Sequence, residues 1–75
     1  MKSVKNRLKE ARLSFGLSKW KLHQLSGVSF SHISLVEKHE RGISYEKALR
    51  ITDALGVELE EVFPEFTKDV ARAMR

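Results

Sequence analysis

The segment 22–36 constrains the fold of this chain more than any other part of the sequence. Apolar residues recur there at helical spacing on both sides of a single glycine, with Leu22 before Gly27 and Ile33 and Val36 after it. Glycine adopts a positive φ angle without steric cost, and a chain that leaves one helix and enters another often needs that conformation. The sequence therefore predicts two short helices joined by a tight turn.

Five helices are predicted from capping residues, glycines and apolar spacing. They are a first helix ending near Gly16, followed by helices over about 19–26, 30–38, 45–55 and 58–63. A serine that can accept a backbone N–H precedes each of the three middle helices, at Ser18, Ser29 and Ser44. Pro64 restricts the residue before it and ends the fifth helix. The predicted fold class is all-α, a compact five-helix domain, and the segment after Pro64 is either a sixth helix or a frayed end.

The predicted core takes one apolar stripe from each helix. Its members are Val4, Leu8, Ala11 and Phe15 on the first helix, Leu22 and Leu25 on the second, Val28 in the turn, Ile33 and Val36 on the third, and Val62 and Phe63 at the end of the fifth. A further stripe, formed by Phe66, Val70 and Met74, is a candidate dimer contact, although packing within one chain explains it equally well.

Composition argues against several classes of protein. The chain has no cysteine, so it has neither a disulfide nor a thiolate metal site. Its apolar runs are much shorter than the roughly 20 residues of a membrane helix, and we expect a cytoplasmic protein. The three histidines, His23, His32 and His39, fall on different segments without the i, i+4 spacing of a metal site. No catalytic motif is present either, so we expect no enzyme activity, no metal or other cofactor, and no small-molecule substrate.

Charge is distributed unevenly along the chain. Residues 1–36 contain seven basic side chains and one acidic one, whereas residues 37–75 contain seven basic and nine acidic ones. A basic half that also contains two helices and a turn suits a polyanion, because contacts with phosphates release counterions. The alternative is that these lysines and arginines only keep a small protein soluble.

A family resemblance extends over most of the chain. It is carried by Arg7-Leu8-Lys9-Glu10 with Arg12, Gly16-Leu17-Ser18, Leu22, Gly27-Val28-Ser29, Ile33-Ser34 with Val36-Glu37, and Ala54-Leu55-Gly56-Val57-Glu58-Leu59 before Val62-Phe63. With these residues the segment 6–63 resembles the lambda-repressor-like family of helix-turn-helix DNA-binding domains, also called the Cro/C1 or XRE type. The resemblance implies a domain over residues 1–64 with a tail, 65–75, that could dimerise. It also implies a transcription regulator, such as a repressor, that binds double-stranded DNA as a homodimer.

The resemblance assigns roles to particular residues. Many such domains pair an arginine with a glutamate behind the motif, here Arg12 and Glu37, and thereby tie the first helix to the end of the third. Two positions depart from the family pattern. His23 stands where alanine is usual, and we expect a histidine at the core or its boundary. Lys19 stands where glutamine usually bonds phosphate and braces the recognition helix, and lysine can still meet a phosphate as a point charge.

The third helix, about 29–38 with its cap, is expected to enter the major groove of DNA. The candidate DNA-binding residues are Lys19, Ser29, Phe30, Ser31, His32, Ser34, Leu35, Lys38 and Arg41. Serine can bond to any base, and Phe30 or Leu35 can cover a thymine methyl group. Lys19, the amide groups of the second helix and Arg41 would hold phosphates. Glu40 disfavours close approach of a phosphate, which Lys38 and Arg41 can offset.

A second hypothesis uses the same surface for protein binding. Phe30 and Leu35 are apolar side chains that either close the core or cover an edge of the two-helix unit, or lie on an outward face. In the second case Trp20 adds to them from the second helix. An exposed apolar patch often marks a site that another molecule covers. The alternative function is therefore a protein-interaction module, for example one that binds as an antitoxin binds its toxin.

Overall fold

The computed structural model describes residues 6–64 and residue 66. Five α-helices and no strand occur within them: α1 Leu8–Ser14, α2 Lys19–Ser26, α3 Phe30–Glu37, α4 Tyr45–Leu55 and α5 Leu59–Val62. The all-α prediction is confirmed, and each predicted boundary lies within two residues of the observed one. Within this described part, no helix has both the length and the apolar character needed to cross a bilayer.

The helix ends are formed as local chemistry predicts. The hydroxyls of Ser18, Ser29 and Ser44 each accept a hydrogen bond from the backbone N–H three residues later, at 3.0, 3.1 and 3.2 Å respectively. At the other end of α2 and α4, Gly27 and Gly56 have φ angles of 77° and 73°. Both glycines therefore occupy the left-handed conformation that lets the chain turn away after a helix.

The core lies between α4 and the other helices. Its buried apolar side chains are Leu8, Leu22, Val28, Ile33, Val36, Ala48, Ile51, Leu55, Val62 and Phe63. The predicted burial of Val28, Ile33, Val36, Val62 and Phe63 is confirmed. Because residues from all five helices and from the turn meet in one cluster, the position of α3 is fixed by the same packing that holds the domain together.

Two residues predicted for the core are exposed, and those two predictions were wrong. Phe15 follows the last residue of α1, so the helical spacing that links it to Leu8 no longer applies there. Instead it lines an open groove of about 360 Å³ together with Ala11 and Val57. Leu25 is exposed, and Ser26, one helical turn after Leu22, is buried on the inner face of α2.

The chain leaves α5 as Pro64 requires. Phe63 has φ −127° and ψ 74°, outside the helical region, and the helix ends at Val62. Phe66 is half-buried, with its ring centroid 6.1 Å from that of Phe63 and 5.8 Å from that of Tyr45. Phe66 therefore packs within its own chain. Three other predicted members of apolar stripes, Val4, Val70 and Met74, lie outside the described residues.

Candidate nucleic-acid interface

One side of α3, here called the uncovered face, bears Ser31, Ser34, Leu35 and Lys38, which are exposed or half-buried. At about 100° per residue, Ile33, Val36 and Glu37 fall on the same side of the helix, and all three are buried. The exposed Ser31 lies on the opposite side. Phe30 falls at the edge of the buried side, beside Trp20 of α2, and is 41% exposed because it opens the first turn of the helix. The remaining candidate residues on and beside α3 divide into the half-buried His32, Ser34 and Leu35 and the exposed Ser29, Lys38 and Arg41.

An ion pair fixes the C-terminal end of α3 against α1. Arg12 donates through Nε to Oε2 of Glu37 at 2.6 Å and through Nη2 to Oε1 at 3.1 Å. Its third donor, Nη1, bonds the carbonyl oxygen of Leu17 at 2.7 Å. The hydrogen bond to Glu37 raises the pKa of Arg12 above its ordinary value, the charge of Glu37 acts in the same direction, and burial opposes both. Two parallel hydrogen bonds hold the guanidinium plane of Arg12 and the carboxylate plane of Glu37 in one relative orientation. This restrains rotation of α3 about its axis.

A second contact fastens the same end of α3. The side-chain amide of Asn6 donates to the carbonyl oxygen of Val36 at 3.0 Å, while its oxygen accepts from the backbone N–H of Leu8. One side chain therefore satisfies the free N–H of Leu8 at the start of α1 and adds a second hydrogen bond to the Val36 carbonyl, which also accepts from the N–H of His39. Backbone groups at helix ends need such partners.

The side chain of Lys19 crosses from α2 to α3. Its ammonium nitrogen donates to the hydroxyl of Ser34 at 3.0 Å, and both residues are half-buried. The charge consequently lies beside the uncovered face of α3. Sequence spacing offers no sign of this contact, because the two residues are 15 positions apart and on different helices.

Three aromatic rings line the opening between α2 and α3. The ring of Trp20 lies 5.0 Å from that of His23 and 6.3 Å from that of Phe30, at tilted angles. Trp20 is 57% exposed. His23 is half-buried, and its Nδ1 lies 2.8 Å from the carbonyl oxygen of Val28 in the turn. The histidine therefore lies at the boundary of the core, where it contacts both the turn and the exposed tryptophan.

The loop after α3 is held close to the helix. Nε2 of His32 lies 3.1 Å from the carbonyl oxygen of Gly42. His39 has a φ of 62°, and the N–H groups of His39 and Glu40 bond back to the carbonyls of Val36 and Leu35. This pattern is the Schellman type of helix ending, with histidine in the position that glycine usually takes.

Among residues 6–64 and 66, no three His, Asp or Glu side chains come together in a way that could hold a metal ion. The open groove beside Phe15 takes none of its lining residues from α2 or α3. The surface on α2 and α3 therefore offers hydrogen-bond donors, hydroxyls and apolar rings, which are groups for recognition.

Comparison with known proteins agrees with this geometry. A family model described as helix-turn-helix matches residues 8–62, from the first residue of α1 to the last residue of α5. A protein of Bacillus subtilis (strain 168) described as the uncharacterized HTH-type transcriptional regulator YgzD is 37% identical over 60 residues, which are 80% of this chain and 91% of that protein. The crystal structure of the restriction-modification controller protein C.AhdI from Aeromonas hydrophila is also similar. It has a TM-score of 0.71 and 38% identity, and the match covers 73% of this chain and 83% of that one.

Proposed function

Because this chain belongs to the helix-turn-helix family, of the lambda-repressor-like Cro/C1 type, we propose that it is a transcription regulator that binds double-stranded DNA through α3. The observation that carries the proposal is the uncovered face of α3. That face is held outward by the Arg12–Glu37 pair at one end and by the Ser29 cap at the other. A rigid helix displayed in this way can enter a major groove without further rearrangement.

The side chains on and beside the uncovered face would have three roles. Phe30 and Leu35 would cover thymine methyl groups, while Ser29 and Ser31 would bond to base edges or the adjacent backbone. His32, bonded to Gly42, would hold the following loop in place beside the DNA. Few side chains here make paired bonds to a base, so part of the selectivity would come from the shape and flexibility of the duplex.

Phosphate contacts would come from basic side chains at the edge of this face. Lys38 and Arg41 are exposed at the end of α3 and in the loop after it, where Glu40 is their acidic neighbour. The amide groups at the start of α2 would bond a phosphate on the other side, with Lys19 near them. These contacts set the position of the protein on DNA and carry no sequence information directly.

The regulator would act as a homodimer. Two copies related by a two-fold axis would place their α3 helices in successive turns of the major groove, with half-sites about 34–36 Å apart. The stripe of Phe66, Val70 and Met74 is the proposed contact. Phe66 already packs on Phe63 and Tyr45, so a partner would add to a surface that is only half-covered.

A salt titration tests the proposal. Binding of the purified chain to a pool of random duplexes is measured by fluorescence anisotropy between 50 and 300 mM salt. Two or three phosphate contacts per protomer predict that log affinity falls with log salt at a slope of about −4 to −5 for the dimer. No binding at any salt concentration would contradict the proposal.

A protein-binding function is the second candidate, and the exposed rings of Trp20 and Phe30 favour it. Two large apolar side chains in contact with each other and with solvent suit the centre of a protein interface. Such a function predicts an affinity for a protein partner that changes little with salt. Failure to bind duplex DNA, together with salt-insensitive binding of a partner that Trp20→Ala abolishes, would establish it.

A further inference from the structure

The contact between Lys19 and Ser34 gives the positive charge of Lys19 a defined position beside α3. Lys19 is the first residue of α2, from which a lysine could extend away from the protein towards a phosphate. Its ammonium nitrogen lies instead 3.0 Å from the hydroxyl of Ser34, in the middle of α3. Both side chains are half-buried, so the lysine stem runs along protein surface and the charge has a defined position.

That position adjoins the uncovered face of α3. Ser34 lies one helical turn after Phe30 and three residues after Ser31, and it is flanked by Leu35. Phe30, Ser31 and Leu35 carry no charge, and none of them offers a pair of hydrogen-bond donors. Lys19 therefore brings to this part of the surface a donor group that α3 itself lacks.

The hydrogen-bonding capacity of the pair selects among bases. A lysine ammonium has three donors, of which one is used on Ser34, so two remain. The Ser34 hydroxyl accepts from the lysine and keeps its own proton to donate. In the major groove guanine presents two acceptors, N7 and O6, and thymine presents one, O4, beside its methyl group. Adenine presents one acceptor beside an amino donor, and cytosine presents an amino donor. The two free donors of the ammonium match the two acceptors of guanine, meet a single acceptor on thymine, and conflict with the amino groups of adenine and cytosine.

We propose that Lys19, held by Ser34, is a specificity-determining residue that selects a guanine in each half-site. The inference rests on the proposed DNA-binding function and gives Lys19 a role different from a phosphate contact. A phosphate contact would be indifferent to sequence, whereas this contact distinguishes one base at one position.

The test compares variants by selection of bound duplexes from a random library, followed by competition between selected duplexes. Lys19→Met removes the ammonium and keeps an unbranched stem of similar length. Lys21→Met is the matched control, since Lys21 lies two residues later on α2 and is exposed. Circular dichroism and the thermal midpoint establish that each variant is folded.

We expect the wild-type chain to prefer guanine at one position of each half-site. Lys19→Met should reduce that preference by about 5-fold to 100-fold, which is the range for loss of a good base contact, and leave preferences at other positions in place. Lys21→Met should keep the guanine preference. Ser34→Ala should weaken the preference without removing a charge, and Lys19→Arg should retain it because arginine also offers only donors.

Three results would overturn the inference, and they are distinguishable. If the duplexes selected by the wild-type chain show no preference for guanine, the inference is wrong. A uniform loss of affinity in Lys19→Met, with the base profile unchanged, returns Lys19 to phosphate binding and leaves the proposed function standing. Absence of any duplex binding by the wild-type chain overturns the proposed function as well.

Discussion

Removal of Glu37 should destabilise the domain far more than removal of any exposed acid. The side chains of Arg12 and Glu37 are only 7% and 3% exposed, so the pair is nearly dry. Taking away one partner of such a pair leaves the other buried without compensation and costs about 3–5 kcal/mol. A chain of this length has a free energy of unfolding on the order of 4–11 kcal/mol. Glu37→Ala should therefore remove a third or more of the stability and lower the thermal midpoint by on the order of 20 °C.

The chain contains a matched control for this prediction. Glu46 pairs with Arg50 at 3.2 Å on the surface of α4, with side chains 77% and 53% exposed. Glu46→Ala should change the free energy of unfolding by less than about 1 kcal/mol, because water screens an exposed pair. Both variants are compared with wild type by urea unfolding at neutral pH. Equal and small losses in the two variants would refute the claim that the Arg12–Glu37 pair is dry.

Two further variants separate charge from packing. Glu37→Gln keeps the volume of the side chain and removes its charge, so it should also destabilise the domain strongly. The double variant Arg12→Met with Glu37→Leu removes both charges and should recover most of the loss, since an apolar pair of similar volume is often as stable as a buried ion pair. The hydrogen bond to Glu37 raises the pKa of Arg12, so this contribution is fully present at neutral pH. It is lost as pH rises through the strongly alkaline range.

Three other substitutions test the local geometry, each by the urea midpoint of unfolding. Gly27→Ala should lower the free energy of unfolding by about 1–2 kcal/mol, because an alanine must adopt the positive φ of 77°. The nearest atom to an added Cβ, Nη1 of Arg50, is 3.9 Å away, so the cost comes from the backbone conformation and not from a clash. His39→Asn should raise stability by up to about 1 kcal/mol, because asparagine tolerates the φ of 62° better; a loss would contradict this. Ser29→Ala should cost about 1 kcal/mol and weaken DNA binding, because it loosens the start of α3; unchanged stability would refute the capping role.

Most of the fold could be predicted because its rules are local. A serine before a helix, a glycine after one and a proline beyond α5 each act within three or four residues, and all of them are observed where the sequence places them. Helical periodicity predicted the wrong buried residue where two residues fitted the spacing equally well. Leu25 and Ser26 both lie near one turn from Leu22, and only the packing of α2 decides that the smaller side chain faces inward. Spacing along one helix contains no information about that choice.

The uncovered face was harder to predict, because contacts between helices determine its chemistry. The sequence indicates which residues of α3 face outward, since the buried positions Ile33 and Val36 settle the rest. The family position of Lys19 indicates a residue that braces α3, but it does not identify Ser34 as the partner, and nothing in the sequence indicates that Trp20 approaches Phe30. Both contacts depend on the angle at which the turn sets α2 against α3. That angle follows from Gly27 and from the core together. A substitution at Gly27 should therefore alter the Lys19–Ser34 contact and change base preference even in variants that remain folded, which duplex selection with Gly27→Ala would detect. An unchanged preference would show that the contact does not depend on the turn.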